Sequence, residues 1–77
     1  MKFEHITTDP NILGGKPCIA GSRISVDLIL EWIAGGATLE EIHKNYSHLS
    51  MDALKEAVLF ASISLKNDVF IELKKAS

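Results

Sequence analysis

The side chains from which a reacting or ligand-holding site would first be built are His5, His43, His48, Cys18 and the sole arginine, Arg23. His43 and His48 are five positions apart, off the four-residue spacing by which a helix presents two ligands on one face. A turn also falls between them, His5 is remote, and Cys18 has no second thiol beside it. The histidines therefore read as unpaired surface or half-buried side chains, and no metal or cofactor is expected. A cysteine–histidine nucleophile pair would need a tertiary accident. Gly14-Gly15-Lys16-Pro17 invites a phosphate-loop reading, but that motif needs a further upstream Gly and Ser or Thr after the Lys. Pro17 also has no N–H to offer a phosphate. It reads as a glycine turn leading into a strand. Arg23 follows Gly21-Ser22 just before a helical pattern, and two roles stay open for it. It could hold Asp27 or Glu31 bidentately, or it could meet a nucleic-acid phosphate. A chain this short leaves little room for a catalytic pocket of roughly 300 Å³ or more, so no enzyme is expected.

Those residues must be held by a small frame. The chain has 77 residues, 47% hydrophobic and 23% charged, which fits one globular domain. Domains of this size bury only about 60% of their unfolded surface, so a staple or a partner is often needed. One cysteine makes no internal disulfide, which points to a reducing compartment and favours oligomerisation. The start, Met1-Lys2-Phe3-Glu4-His5, lacks the apolar run of a signal peptide, and no stretch has the roughly 18 apolar residues of a membrane span. A cytoplasmic protein away from membranes is expected. The net charge of −2 hides an uneven distribution. Residues 1–25 and 66–77 each balance at +1, while residues 26–65 balance at −4. Such a monomer should bind duplex DNA weakly, because nonspecific binding rests on positive charge.

Residues 3–7 alternate as a half-buried strand, and Asp9-Pro10-Asn11 and Gly14-Gly15 mark turns. Residues 16–24 read as a small hairpin. Ser25 then caps a helix striped by Val26, Ile29, Leu30 and Ile33, which Gly35-Gly36 ends. Thr38 and Glu41 form a capping box for a short helix over about 39–46. Ser50 caps a third helix over 50–67, striped by Met51, Leu54, Val58, Ala61 and Leu65. That helix is apolar on more than one face, which suggests a dimer or partner contact. Asn67-Asp68 interrupts the pattern. Beyond it an alternating, extended tail is favoured over a continuing helix. The expected core is Ile24, Val26, Ile29, Leu30, Ile33, Leu39, Ile42, Tyr46, Leu49, Leu54, Val58 and Ala61, with Trp32 partly buried.

The fold class is therefore mostly α: a three-helix, homeodomain-like helix-turn-helix bundle with a small N-terminal β element. Residues 1–66 form the domain, and residues 67–77 form a partner-binding or dimerising tail. In helix-turn-helix modules the start of the third helix reaches base edges in the major groove. Here that edge carries Ser50, Asp52, Lys55 and Glu56. Lys16, Arg23, Ser50 and Lys55 are the candidate DNA contacts, while the two carboxylates oppose phosphate. A plain three-helix bundle would use the same pattern for packing alone.

The first half carries a resemblance as well. The spaced pattern Ile6, Asp9-Pro10, Ile12, Gly15-Lys16-Pro17, Ile19, Gly21-Ser22-Arg23-Ile24 and Val26 resembles the domain-of-unknown-function family number 433. Gly36, Thr38, Glu40-Glu41-Ile42, Tyr46, Leu49-Ser50, Ala57 and Ala61 continue it, so the likeness spans about residues 4–65. Ser47 stands where the family often has proline, which implies a looser second turn, and Cys18 replaces a typical aliphatic residue. The resemblance implies a VapB-type antitoxin that neutralises a PIN-like, metal-dependent ribonuclease toxin and binds its own operator DNA; the homodimer is expected from the surplus apolar face of the third helix. The tail residues Lys66, Val69, Phe70, Ile71, Leu73 and Lys74 would then cover the nuclease site or place a cation against its carboxylates. The rival expectation is a protein–protein interaction module of the same fold that never touches DNA, which the acidic middle favours.

Overall fold

A computed structural model describes residues 3–68. The element order is β1 (Ile6–Thr7), a 3-10 turn (Leu13–Gly15), β2 (Cys18–Ile19), α1 (Val26–Ala34), α2 (Leu39–Asn45) and α3 (Met51–Asp68). The molecule is mostly α, with three helices and a two-stranded antiparallel sheet at the N-terminal side.

The sheet is shorter than the alternating pattern predicts. β1 pairs with β2 through Ile6 with Ile19 and Thr7 with Cys18. Beyond His5, whose C=O still accepts the Ala20 N–H, the chain turns to α3: the Phe3 ring meets Phe60 edge-on with centroids 5.1 Å apart. The expected hairpin over residues 16–24 survives as a tight return. Ile19 N–H donates to Ile24 C=O at 2.9 Å, Cys18 bridges to Ser25, and Gly21 takes φ +78° at the bend. Asp9 makes its expected turn by accepting the Asn11 N–H on its carboxylate at 2.9 Å.

Each helix starts and stops on local signals. Ser25 accepts the Leu28 N–H at the start of α1. α1 ends in a Schellman motif: Ala37 N–H donates to Trp32 C=O at 3.0 Å and Gly36 N–H to Ile33 C=O at 2.9 Å. Gly36 supplies the left-handed step at φ +106°, whereas Gly35 stays at −80°. The capping box of α2 is complete. Glu41 N–H donates to Thr38 Oγ1, and Thr38 N–H donates to Glu41 Oε1. Ser50 accepts the Ala53 N–H at 3.1 Å to cap α3. The turn before it is closed by a bond from Leu49 N–H to Tyr46 C=O at 2.9 Å, despite the serine at position 47. α3 continues through Asn67-Asp68, where the pattern predicted an interruption. The proposed extended segment beyond lies outside the described residues.

The core is built on Ile19, Val26, Ile29, Ile42, Leu49, Ala53, Leu54, Ala57 and Ala61. Ile24, Leu30, Ile33, Leu39 and Val58, expected inside, are half-buried, as is Trp32. The buried face of α3 is rotated from the expected one. Ala53, Ala57 and Ala61 at four-residue spacing let the helix approach closely, so Met51 and Val58 are only half-buried and Leu65 is 53% exposed. Tyr46 is the clearest correction. α2 stops at Asn45, and Tyr46 follows in a non-helical conformation (φ −129°), 38% exposed.

Candidate functional site

Four surface regions carry the molecule's chemistry. The first surrounds the turn before α1. Lys16 Nζ lies 3.1 Å from the Asp27 carboxylate, which also accepts the Ser25 hydroxyl. The Ser25 bond, then the Lys16 bond, hold the Asp27 carboxyl below its ordinary range. Asp27 was a predicted partner of Arg23, but Lys16 and Ser25 occupy it. Among the described residues Arg23 makes no ion pair, and its side chain is exposed. Arg23 stands on the rim shared by two open clefts. One, about 490 Å³, also takes in Thr7, Asp9, Ile12 and His48. The other, about 390 Å³, takes in Lys16, Ser25, Asp27 and Glu31. The expectation of too little room is thus corrected: small folds still have clefts of this size, though these are open grooves.

The second region is the start of α3. Ser50 is spent as the helix cap, while Asp52 and Lys55 are exposed. Glu56 faces the β element. His5 grips it twice, with its backbone N–H 2.8 Å from Oε1 and its ring Nδ1 2.7 Å from Oε2. That hydrogen bond from His5 is the main cause that holds the Glu56 carboxyl low, and the same bond raises the His5 imidazole. His5 is therefore half-buried, as expected, but not unpaired. His43 is engaged too, its Nδ1 lying 2.6 Å from Leu49 C=O. Of the DNA-contact candidates, Lys16 and Arg23 share one cleft, while Ser50, the cap before α3, and Lys55, in its second turn, are outside that cleft's lining.

The third region is an apolar groove between α1 and α3, about 260 Å³, lined by Pro17, Leu30, Phe60 and Leu65 with Lys16 and Asp27 among its lining residues. Lys66 is exposed in the last described turn beyond it. The other tail candidates, Val69, Phe70, Ile71, Leu73 and Lys74, lie outside the described residues.

The fourth region was missed entirely in the sequence. Trp32 and Tyr46 stack with centroids 4.9 Å apart and planes 12° apart. His48 meets Tyr46 edge-on at 6.4 Å. The pair faces a cleft of about 400 Å³ with Glu31, Glu41 and Asn45. The available signal was the end of α2: once the helix stops before Tyr46, that ring no longer follows the core stripe.

Among the described residues, no group of three or more His, Cys, Asp or Glu could hold a metal ion. No helix among the described residues is long and apolar enough to cross a membrane. The model of the family described as "Protein of unknown function (DUF433)" matches residues 6–61. The chain belongs to that family. It is also 29% identical over 58 residues to the uncharacterized protein y4eO of Sinorhizobium fredii (strain NBRC 101917 / NGR234). That alignment covers 75% of this chain and 26% of y4eO, so the chain spans about a quarter of the relative's length. No solved structure matches the chain. The family model covers β1, β2, α1, α2 and α3 as far as Ala61, and it includes Arg23, the three helix N-caps and the Trp32–Tyr46 stack.

Proposed function

We propose that this member of the family is a binding module that acts as an antitoxin, docking a PIN-like ribonuclease toxin. The observation that carries the reading is the apolar α1–α3 groove, which leaves Leu65 53% exposed one residue before Lys66. Exposed leucine and a half-buried phenylalanine in a groove rimmed by an ion pair suit a protein partner better than a small ligand. The residues that follow, Val69, Phe70, Ile71, Leu73 and Lys74, supply the apolar and cationic groups for the rest of such a contact. The lysines would compete with divalent metal for the nuclease carboxylates.

Operator binding is the conditional part of this proposal. Arg23 and Lys55 are the exposed cations free of ion pairs among the four DNA-contact candidates. Two cations against an acidic helical middle give weak binding, so two modules on one operator are needed. Homodimerisation through the exposed Leu59 and Leu65, or assembly with toxin, would supply them. The test is co-expression with a PIN-like nuclease encoded beside this chain. Rescue of growth and co-purification are expected, and Leu65→Asp should abolish both. An unchanged toxin complex after deletion of residues 67–77 would refute the tail's role. A complex that shifts operator DNA no better than random DNA removes the repressor part and leaves a protein-only module.

A further inference from the structure

The cleft between the end of α1 and α2 is independent of the toxin-docking groove. Its chemistry is also opposite to that of a DNA-binding surface. Two carboxylates, Glu31 and Glu41, line it beside the stacked Trp32–Tyr46 pair. Glu31 is exposed, and Glu41 uses Oε1 to accept the Thr38 N–H, which leaves its other oxygen for a ligand. α1 ends at this cleft with its last carbonyls capped by backbone N–H groups and with no basic residue in its last turn to oppose a cationic ligand. Asn45 adds an amide, and Tyr46 is kept outside the core by the stop of α2.

We propose that this cleft binds an arginine side chain presented by a protein partner. A guanidinium is planar and weakly hydrated, so it can lie against aromatic rings while its forked N–H groups donate to carboxylates. A lysine ammonium would gain the charge attraction but not the planar fit. A nucleic acid could stack a base on the same rings, but its phosphates would be repelled by Glu31 and Glu41, which disfavours it.

Trp32 is the chain's one tryptophan and sits in the cleft, so its emission reports occupancy directly. The experiment titrates the full chain with hexa-arginine, hexalysine and single-stranded oligothymidine at fixed salt, following Trp32 fluorescence. Hexa-arginine should give a saturable change and bind about tenfold or more tightly than hexalysine, roughly the worth of one added charge-assisted contact. Glu31→Gln with Glu41→Gln should weaken it by a similar factor without altering the melting curve. Glutamine at position 41 keeps an acceptor for the Thr38 N–H. Tyr46→Leu should remove the preference for arginine over lysine. Equal affinities for the two peptides, an unaffected double variant, or preferential binding of the oligonucleotide each overturn the proposal. None of these outcomes bears on the toxin groove, which Leu65→Asp tests separately.

Discussion

The helical part of the molecule and its N-terminal β element are held in different ways. Ile29, Leu49 and Leu54 are the largest side chains fully removed from water, and all three lie in or beside the helices. The β element has two-residue strands, too short to be stable by pairing alone. It adds Ile19 to the shared core and is otherwise fastened to α3 by particular contacts: His5 on Glu56 and Phe3 on Phe60. Burial is non-directional and tolerates charge changes, whereas these contacts are local and one of them, the His5–Glu56 pair, depends on pH. Damage to the helices should therefore unfold everything, and damage to the clamp should loosen one segment.

The comparison breaks first on Leu54→Ala. Truncating a fully buried leucine should cost about 2–5 kcal/mol, read as a lower urea midpoint with the slope unchanged. A much smaller loss would mean the helical core is not the main source of stability. Next come the caps. Thr38→Ala should cost about 1 kcal/mol, because it removes the side-chain half of a complete capping box. A smaller and pH-limited effect belongs to the clamp. His5 is raised above its ordinary 6.5, so its contribution is full below that value and fades as pH rises through the raised pKa. Glu56 is lowered from 4.5, so its contribution is full above that value and fades as pH falls through the lowered pKa. The clamp is thus strongest between those two limits. His5→Gln should remove the fall in melting temperature that the native chain shows on going from mildly acidic to alkaline solution. An unchanged pH profile would show that the β element does not lean on this pair. Smallest of all, Lys16→Gln should leave melting unchanged within error, because both partners of its ion pair are well over half exposed to screening solvent.

Much of the helical part was legible because its signals are local. Ser25, Thr38 with Glu41, and Ser50 mark starts within a few residues of the N–H groups they cap, and Gly36 marks a stop through its backbone freedom. The clamp was not legible. His5 and Glu56 are 51 residues apart, and only the packing of β1 against α3 brings them together. The same holds for the competition over Asp27, where Lys16 reached the carboxylate from eleven residues away and left Arg23 outside. The orientation of α3 was misread because alanines weigh little in a hydrophobic pattern. Their small size is what lets the helix come close. Tyr46 was misplaced for a related reason: a one-residue difference in the end of α2 moves a large ring from the core stripe to a solvent-facing stack.

Cys18 gives the β element its own timer. Cys18 is 2% exposed, pairs through its backbone with Thr7, and donates from Sγ to Lys16 C=O. Cys18 lines the open cleft beside Arg23, but with so little of it exposed a thiol reagent reacts with it faster when β2 lifts away. Its modification rate, compared with that of the unfolded chain, therefore counts how often this segment opens. Because the chain has a single cysteine, the signal needs no deconvolution. If the helices stay folded during those openings, labelling will run faster than global unfolding permits.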